Sequence, residues 1–200
     1  MARRKGPRVT QFFNRDRLAF SAMHKVGHVT LEHLHQCGLA DSRIKNLIRD
    51  GHFEKIPFKK NGRNEECYKL TKLGRETAAR LWALNYAYHA QSPIHDLAVA
   101  EKYFNLPEKL RDSWKTETEI RNQFFEQLEL LREQGKEVEA KLYDDQLNKG
   151  LISMPDAAYI NESGLVTGFE VITNSYGVEE LMAKEALVQI MNYNYETIRI

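Results

Sequence analysis

The sequence predicts a mixed α+β fold in two domains, on three observations. The stretch Thr30 to Gly51, TLEHLHQCGLADSRIKNLIRDG, carries the apolar period of two short helices around a turn. Asn61-Gly62 joins two short apolar runs, a strong local signal for a β-hairpin. Charge divides the chain: residues 1–80 hold 18 Lys and Arg against 8 Asp and Glu, and residues 81–200 hold 11 against 20. Two domains with opposite electrostatic tasks account for that division better than one uniform fold.

The first 13 residues form a basic arm, with Arg3, Arg4, Lys5 and Arg8 around Gly6-Pro7. Such an arm suits a minor groove or a line of phosphates, and equally a solvated terminus. No apolar segment follows it, so it is not a secretory signal. Asn14 or Asp16 opens a helix to about Val26, with Leu18, Phe20, Ala22 and Met23 as its apolar contacts. Leu31, Leu34 and His35 then mark a second helix, closed at Cys37-Gly38 where glycine fits a left-handed cap. Asp41 or Ser42 is the expected N-cap of the third, whose apolar stripe is Ile44, Leu47 and Ile48.

Ser42, Arg43, Lys45, Asn46 and Arg49 fill the rest of that third helix, and they are residue types that reach phosphates and base edges. This is the organisation of a helix-turn-helix with its recognition helix at residues 42–50. Phe53 with Ile56-Pro57-Phe58 reads as one strand and Cys67, Tyr68 and Leu70 as its return, with Lys59, Lys60 and Arg63 at the basic tip. Thr71 caps a helix over residues 72–82. A helix-turn-helix followed by a basic-tipped hairpin is a winged helix. The segment YKLTKLGR, residues 68–75, resembles the wing exit of many winged-helix regulators.

Residues 83–94 read as a linker punctuated by Ser92-Pro93. From His95 the pattern changes. Residues 96–103 predict a helix. Residues 114–131 predict another, with Ile120, Phe124, Leu128 and Leu131 on one face, running on past Gly135 towards Tyr143. Residues 151–160 and 165–173 predict a second hairpin, residues 178–193 a helix, and residues 195–200 a last strand. The expected domains are therefore a basic arm at 1–13, a DNA-binding domain at 14–82, a linker at 83–94 and a second domain at 95–200.

In that second domain Glu117 precedes Met154-Pro155-Asp156 and Glu170-Val171-Ile172. The spacing resembles the PD-(D/E)xK nuclease fold, which implies a helix Glu and two strand carboxylates around a divalent metal. Carboxylates suit Mg²⁺, a hard cation that takes oxygen ligands. The motifs His95-Asp96-Leu97, Trp114 with Glu117, Pro155-Asp156-Ala157 and Phe169-Glu170-Val171 also look like the replication-relaxation family of plasmids and integrative elements. That resemblance covers most of residues 14–200. It implies a winged helix joined to a PD-(D/E)xK-like domain, with Glu117, Asp156 and Glu170 as the acidic and metal site and His95 and Asp96 lining it. The lysine of the nuclease motif is Ile172 here, and Lys184 on the next helix is the candidate substitute.

These readings leave two functions open. One is a cytoplasmic, sequence-directed binder of double-stranded DNA acting for a plasmid, phage or integrative element, without a cofactor. Its nuclease-like domain would serve a homodimer or a replication, relaxase or regulatory protein. The other is a Mg²⁺-dependent endonuclease or nickase using Glu117, Asp156, Glu170 and Lys184. No run of roughly 20 apolar residues suggests a membrane span. Cys37 and Cys67, the two cysteines, point to a reducing compartment and to buried thiols. The His-x₃-His spacing of His24 and His28 is compatible with zinc but fits ordinary packed histidines better.

Overall fold

In the computed structural model, which describes residues 6–200, the apolar period after Asn14 becomes α1 (Asn14–Val26). Arg3, Arg4 and Lys5 lie outside the described residues. The described chain is mixed α+β and divides into two units between Glu101 and Lys102.

In the first unit, α2 (Leu31–Gln36) starts at Thr30, whose Oγ1 accepts the His33 N–H at 3.1 Å. Gly38, at φ 85°, closes the turn. The next helix, α3 (Asp41–Arg49), is capped by Ala40 rather than by Asp41 or Ser42. Asp41 becomes the first helical residue, where its carboxylate meets the positive end of the helix. Its Oδ1 also lies 2.8 Å from His35 Nε2, a tie that holds the side chain away from a capping geometry. The strands β1 (Phe53–Lys60) and β2 (Arg63–Leu70) pair antiparallel from Phe53↔Leu70 to Lys60↔Arg63. Asn61 and Gly62 both take positive φ, 51° and 77°, as a two-residue type I′ turn requires.

Val29, between α1 and α2, bridges Tyr68 through two backbone hydrogen bonds of 2.9 and 2.8 Å. The helix connection is thereby stitched to the hairpin. Thr71 Oγ1 accepts the Gly74 N–H and opens α4 (Lys72–Trp82). Phe20 is fully buried, with its ring 4.9 Å from Phe53 and 5.1 Å from Trp82. Burying one such ring stabilises by about 1.5–3 kcal/mol. The helix α5 (Pro93–Asn105) starts at a proline, which loses no needed N–H in a first turn. His95 and Asp96 therefore belong to the first unit.

The second unit begins with the end of α5 and a short α6 (Glu108–Arg111), then β3 (Lys115–Thr116), which the sequence pattern does not reveal. The long helix α7 (Glu117–Glu133) starts at Thr116, in a reciprocal cap with Glu119. It does not run on to Tyr143. Gly135, at φ 76°, breaks the helical path, and α8 (Glu137–Asn148) is a separate helix. Residues 151–156 are irregular, so the strand expected there shrinks to β4 (Ala157–Ile160). Then come β5 (Val166–Ile172), α9 (Val178–Ile190) and β6 (Asn194–Arg199).

The sheet order is β3-β4-β5-β6, antiparallel for the first two pairings and parallel for β5 and β6. A parallel pair needs a long crossover, and α9 supplies it. On one side the core is built from Ile120, Phe124 and Leu128 of α7 with Met154, Ala158 and Leu187. Trp114 is also buried, stacked on Tyr159 at 5.9 Å and set edge-on to Tyr103 at 5.3 Å.

Candidate functional site

Two groups of residues carry chemistry, one in each unit. In the first unit Ile44 and Leu47 fix the phase of α3, because both are buried. At about 100° per residue, the side opposite them carries Ser42, Lys45, Asn46 and Arg49. Ser42, Lys45 and Arg49 are exposed and Asn46 is half-buried. On the hairpin tip Lys59, Lys60 and Arg63 are all exposed. The type I′ turn gathers the three cations within four residues of one another along the ladder, since Lys59 faces Asn64 and Lys60 faces Arg63.

Arg43 is not part of that face. It lies on the flank of α3 turned to α1, where Nε is 2.9 Å from Asp16 Oδ1 and Nη2 is 2.8 Å from Asp16 Oδ2. The same Nη2 donates to Gln11 O at 2.7 Å, and the guanidinium lies over the Phe12 and Phe13 rings. Asp16 is fully buried, so Arg43 neutralises a carboxylate that would otherwise be stranded. Arg49 is shared: Nε and Nη2 both reach Asp50 Oδ1, at 2.9 and 2.6 Å. Asp50 Oδ2 accepts the N–H groups of Arg8 and Val9 at 2.6 and 2.7 Å. Burial alone would raise the Asp50 pKa, but these donors outweigh it and hold the group below the ordinary carboxylate range. Through Arg8, Val9 and Gln11 the arm is thus fastened to Arg43 of α3 and to Asp50 at its end.

In the second unit Asp156, Glu170 and Lys184 converge. Glu170 Oε1 lies 2.9 Å from Lys184 Nζ and accepts the Tyr176 hydroxyl at 2.6 Å. Its Oε2 accepts the Asp156 N–H at 2.9 Å, while Asp156 Oδ2 accepts the Val171 N–H at 2.9 Å. Lys184 Nζ also donates to Met154 O at 2.7 Å. All three charged side chains are buried. Burial first, and the neighbouring Asp156 second, push Glu170 up from the ordinary carboxylate range, against the pull of Lys184 and Tyr176.

Glu117 does not join them. At the first turn of α7 it pairs with Arg121 across one helical turn at 3.2 Å, and it is half-exposed. His95 and Asp96, expected with the second domain, lie in the first unit. Asp96 Oδ2 is 2.8 Å from His28 Nδ1, and Oδ1 accepts the Gln91 N–H at 3.2 Å and faces His95 Nδ1 at 3.4 Å. Burial opposes ionisation of Asp96, yet the hydrogen bonds from His28, His95 and Gln91 keep its pKa below the ordinary value. Spacing alone does not expose this tie, since His28 lies 68 residues from Asp96.

A divalent metal fits this cluster poorly. Both oxygens of Glu170 and one of Asp156 already accept hydrogen bonds from fixed donors, and the Lys184 ammonium occupies the cationic position beside Glu170. Among the described residues no group of three or more His, Cys, Asp or Glu is disposed to hold a metal ion. Tyr176, which the motif does not include, completes the cluster from the loop before α9. Cys37 and Cys67 are free and buried, and burial pushes the Cys67 thiol up to about 11, so it is a poor nucleophile. No helix among the described residues is long and apolar enough to cross a membrane. Comparison with protein-family models, curated proteins and solved structures yields no match to this chain.

Proposed function

We propose that the chain is a sequence-directed binder of double-stranded DNA, with a winged helix-turn-helix in its first unit and a non-catalytic PD-(D/E)xK-like second unit. The observation that carries this reading is the outward face of α3, with Ser42, Lys45, Asn46 and Arg49, together with the exposed Lys59, Lys60 and Arg63 on the hairpin tip. A helix with short polar and basic side chains reads base edges in a major groove, and a basic hairpin beside it holds phosphates. The Val29–Tyr68 bridge supports the winged arrangement, because it ties the helix-turn-helix to its hairpin. Arg43 is left out of the interface and kept as a structural residue.

The second unit, with its closed Asp156–Glu170–Lys184–Tyr176 cluster, fits a role in dimerisation or in docking a replication, relaxase or regulatory protein. The resemblance to the replication-relaxation family extends the proposal to cytoplasmic work in replication, transfer or transcriptional control of a mobile element. The alternative, a Mg²⁺-dependent endonuclease or nickase, requires the cluster to open and Lys184 to yield its place. Metal-dependent nicking of supercoiled plasmid by the wild type, lost in Asp156→Asn, would restore it.

Selection of duplexes from a randomised pool tests the leading reading. The wild type is expected to enrich a defined sequence, and Asn46→Ala to broaden it. A pool that stays random with the wild type would remove the sequence-directed claim.

A further inference from the structure

Beside the outward face of α3 lies a cleft that DNA reading does not account for. It has a volume of about 230 Å³. Leu31 of α2, Ile44 and Ile48 of α3 and the Tyr68 ring of β2 line its apolar part. Leu31 is 39% exposed, an apolar side chain left uncovered at the mouth. Four charged side chains complete the lining, and three are already engaged. Lys55 Nζ is 2.5 Å from Glu66 Oε2, and Asp41 is tied to His35. Lys45 makes no ion pair with another described residue, and its ammonium is the charge on the rim left to meet a ligand.

We infer that this cleft is a binding site for a small apolar carboxylate, with its carboxylate on Lys45 and its hydrocarbon body over Leu31, Ile44, Ile48 and Tyr68. The chemistry follows from the lining. A concave apolar surface with one convergent charge selects an amphiphile of opposite charge. The volume is below the roughly 300–1,000 Å³ of pockets for drug-sized ligands, which limits the occupant to a metabolite-sized acid. A DNA backbone is the poorer occupant. It has no apolar body to cover Leu31 and Ile48, and the Asp41 and Glu66 carboxylates on the rim oppose a polyanion laid along the cleft. A single carboxylate reaches Lys45 without running past them. The burial of Tyr68, which is the first cause of its raised pKa, is consistent with a dry floor.

Resting on the reading of α3 as the helix that enters the groove, the same occupant would withdraw Lys45 from DNA and act as a releasing effector. The cleft is formed wholly by the first unit, so the inference needs no contribution from the second.

The test is an amide-resonance titration of the full ¹⁵N-labelled chain, without DNA, using sodium hexanoate, sodium 3-phenylpropanoate, sodium acetate and 1-hexanol at constant ionic strength. Hexanoate and phenylpropanoate are expected to shift the Leu31, Ile44, Ile48 and Tyr68 amides saturably, and acetate at least about tenfold more weakly. Lys45→Met is expected to weaken hexanoate about tenfold, the scale of one charge-assisted contact, and to leave hexanol unchanged. Leu31→Ser should weaken hexanoate and spare acetate. Absence of saturable shifts at these amides, or equal hexanoate affinity in Lys45→Met, would overturn the inference. A short duplex that shifts the cleft amides where hexanoate does not would assign the cleft to the DNA backbone and overturn it as well. Hexanoate binding by a chain without duplex affinity would leave the cleft assigned and remove only the DNA reading.

Discussion

Lys184 Nζ lies 2.9 Å from Glu170 Oε1 inside the second unit, both side chains buried, where a nuclease would keep an open carboxylate site. The pair is closed by Tyr176 and Met154 O, so it works as a packed ionic knot joining α9 to β5. Removing one partner leaves the other charge uncompensated. Lys184→Met is therefore expected to cost about 3–5 kcal/mol in urea unfolding. The double variant Lys184→Met with Glu170→Gln should recover part of that loss. Additive losses in the two single variants and the double would show that the two groups do not act as a pair.

Arg43 gives a second separation of structure from recognition. Its fork on Asp16 and its place over Phe12 and Phe13 predict that Arg43→Ala destabilises the chain by about 3 kcal/mol. Lysine cannot reproduce a two-oxygen fork, so Arg43→Lys should restore less than half of it. Under conditions where both proteins are folded, Arg43→Ala is expected to bind duplex DNA within about twofold of wild type. A loss of DNA affinity comparable to that of the wing variants described below would put Arg43 back in the interface.

The pH dependence of the first unit follows from Asp96. Its folded pKa lies below the unfolded value, about 3.9, because the hydrogen bonds from His28, His95 and Gln91 outweigh burial. The stability it gives is therefore present above that unfolded value and is lost as the pH falls through the lowered one. The stability gap between wild type and Asp96→Asn, read by chemical denaturation, should shrink as the pH falls below about 4. A gap that widens below that pH would contradict the assignment.

Gly27 packs against the same carboxylate. At φ 79° an added Cβ would sit 2.5 Å from Asp96 Oδ2. Gly27→Ala should destabilise by more than the roughly 1–2 kcal/mol of a left-handed alanine, since the ring of donors around Asp96 must also shift. A loss below 1 kcal/mol in the same denaturation experiment would show that this packing is loose.

What the sequence made legible was local. The Gly38 turn, the Asn61-Gly62 hairpin, the Thr71 cap and α4 at Lys72–Trp82 each depend on a few neighbouring residues whose backbone demands are nearly unique. The resemblance to the PD-(D/E)xK fold implied a cluster of Glu117, Asp156 and Glu170 with Lys184 as the candidate substitute, and of these Asp156, Glu170 and Lys184 come together. What escaped depends on long-range choice. Arg43 and Arg49 look alike on the chain, but the phase set by Ile44 and Leu47 turns Arg43 to a buried acid 27 residues away. His95 and Asp96 were expected with the second domain, and only the fold reveals His28 as the partner. Glu117 shares the carboxylate chemistry of the cluster, yet its place in the first turn of α7 directs it to Arg121.

The proposal of DNA binding turns most directly on the salt dependence of duplex affinity, measured by fluorescence anisotropy for wild type and the Lys59→Ala, Lys60→Ala, Arg63→Ala triple variant. The predicted result is a steep fall of wild-type affinity with salt, and a slope of log K against log salt shallower by about 2–3 in the variant, as three phosphate contacts are lost. Wild-type affinity indifferent to salt, or the same slope in both proteins, would contradict it.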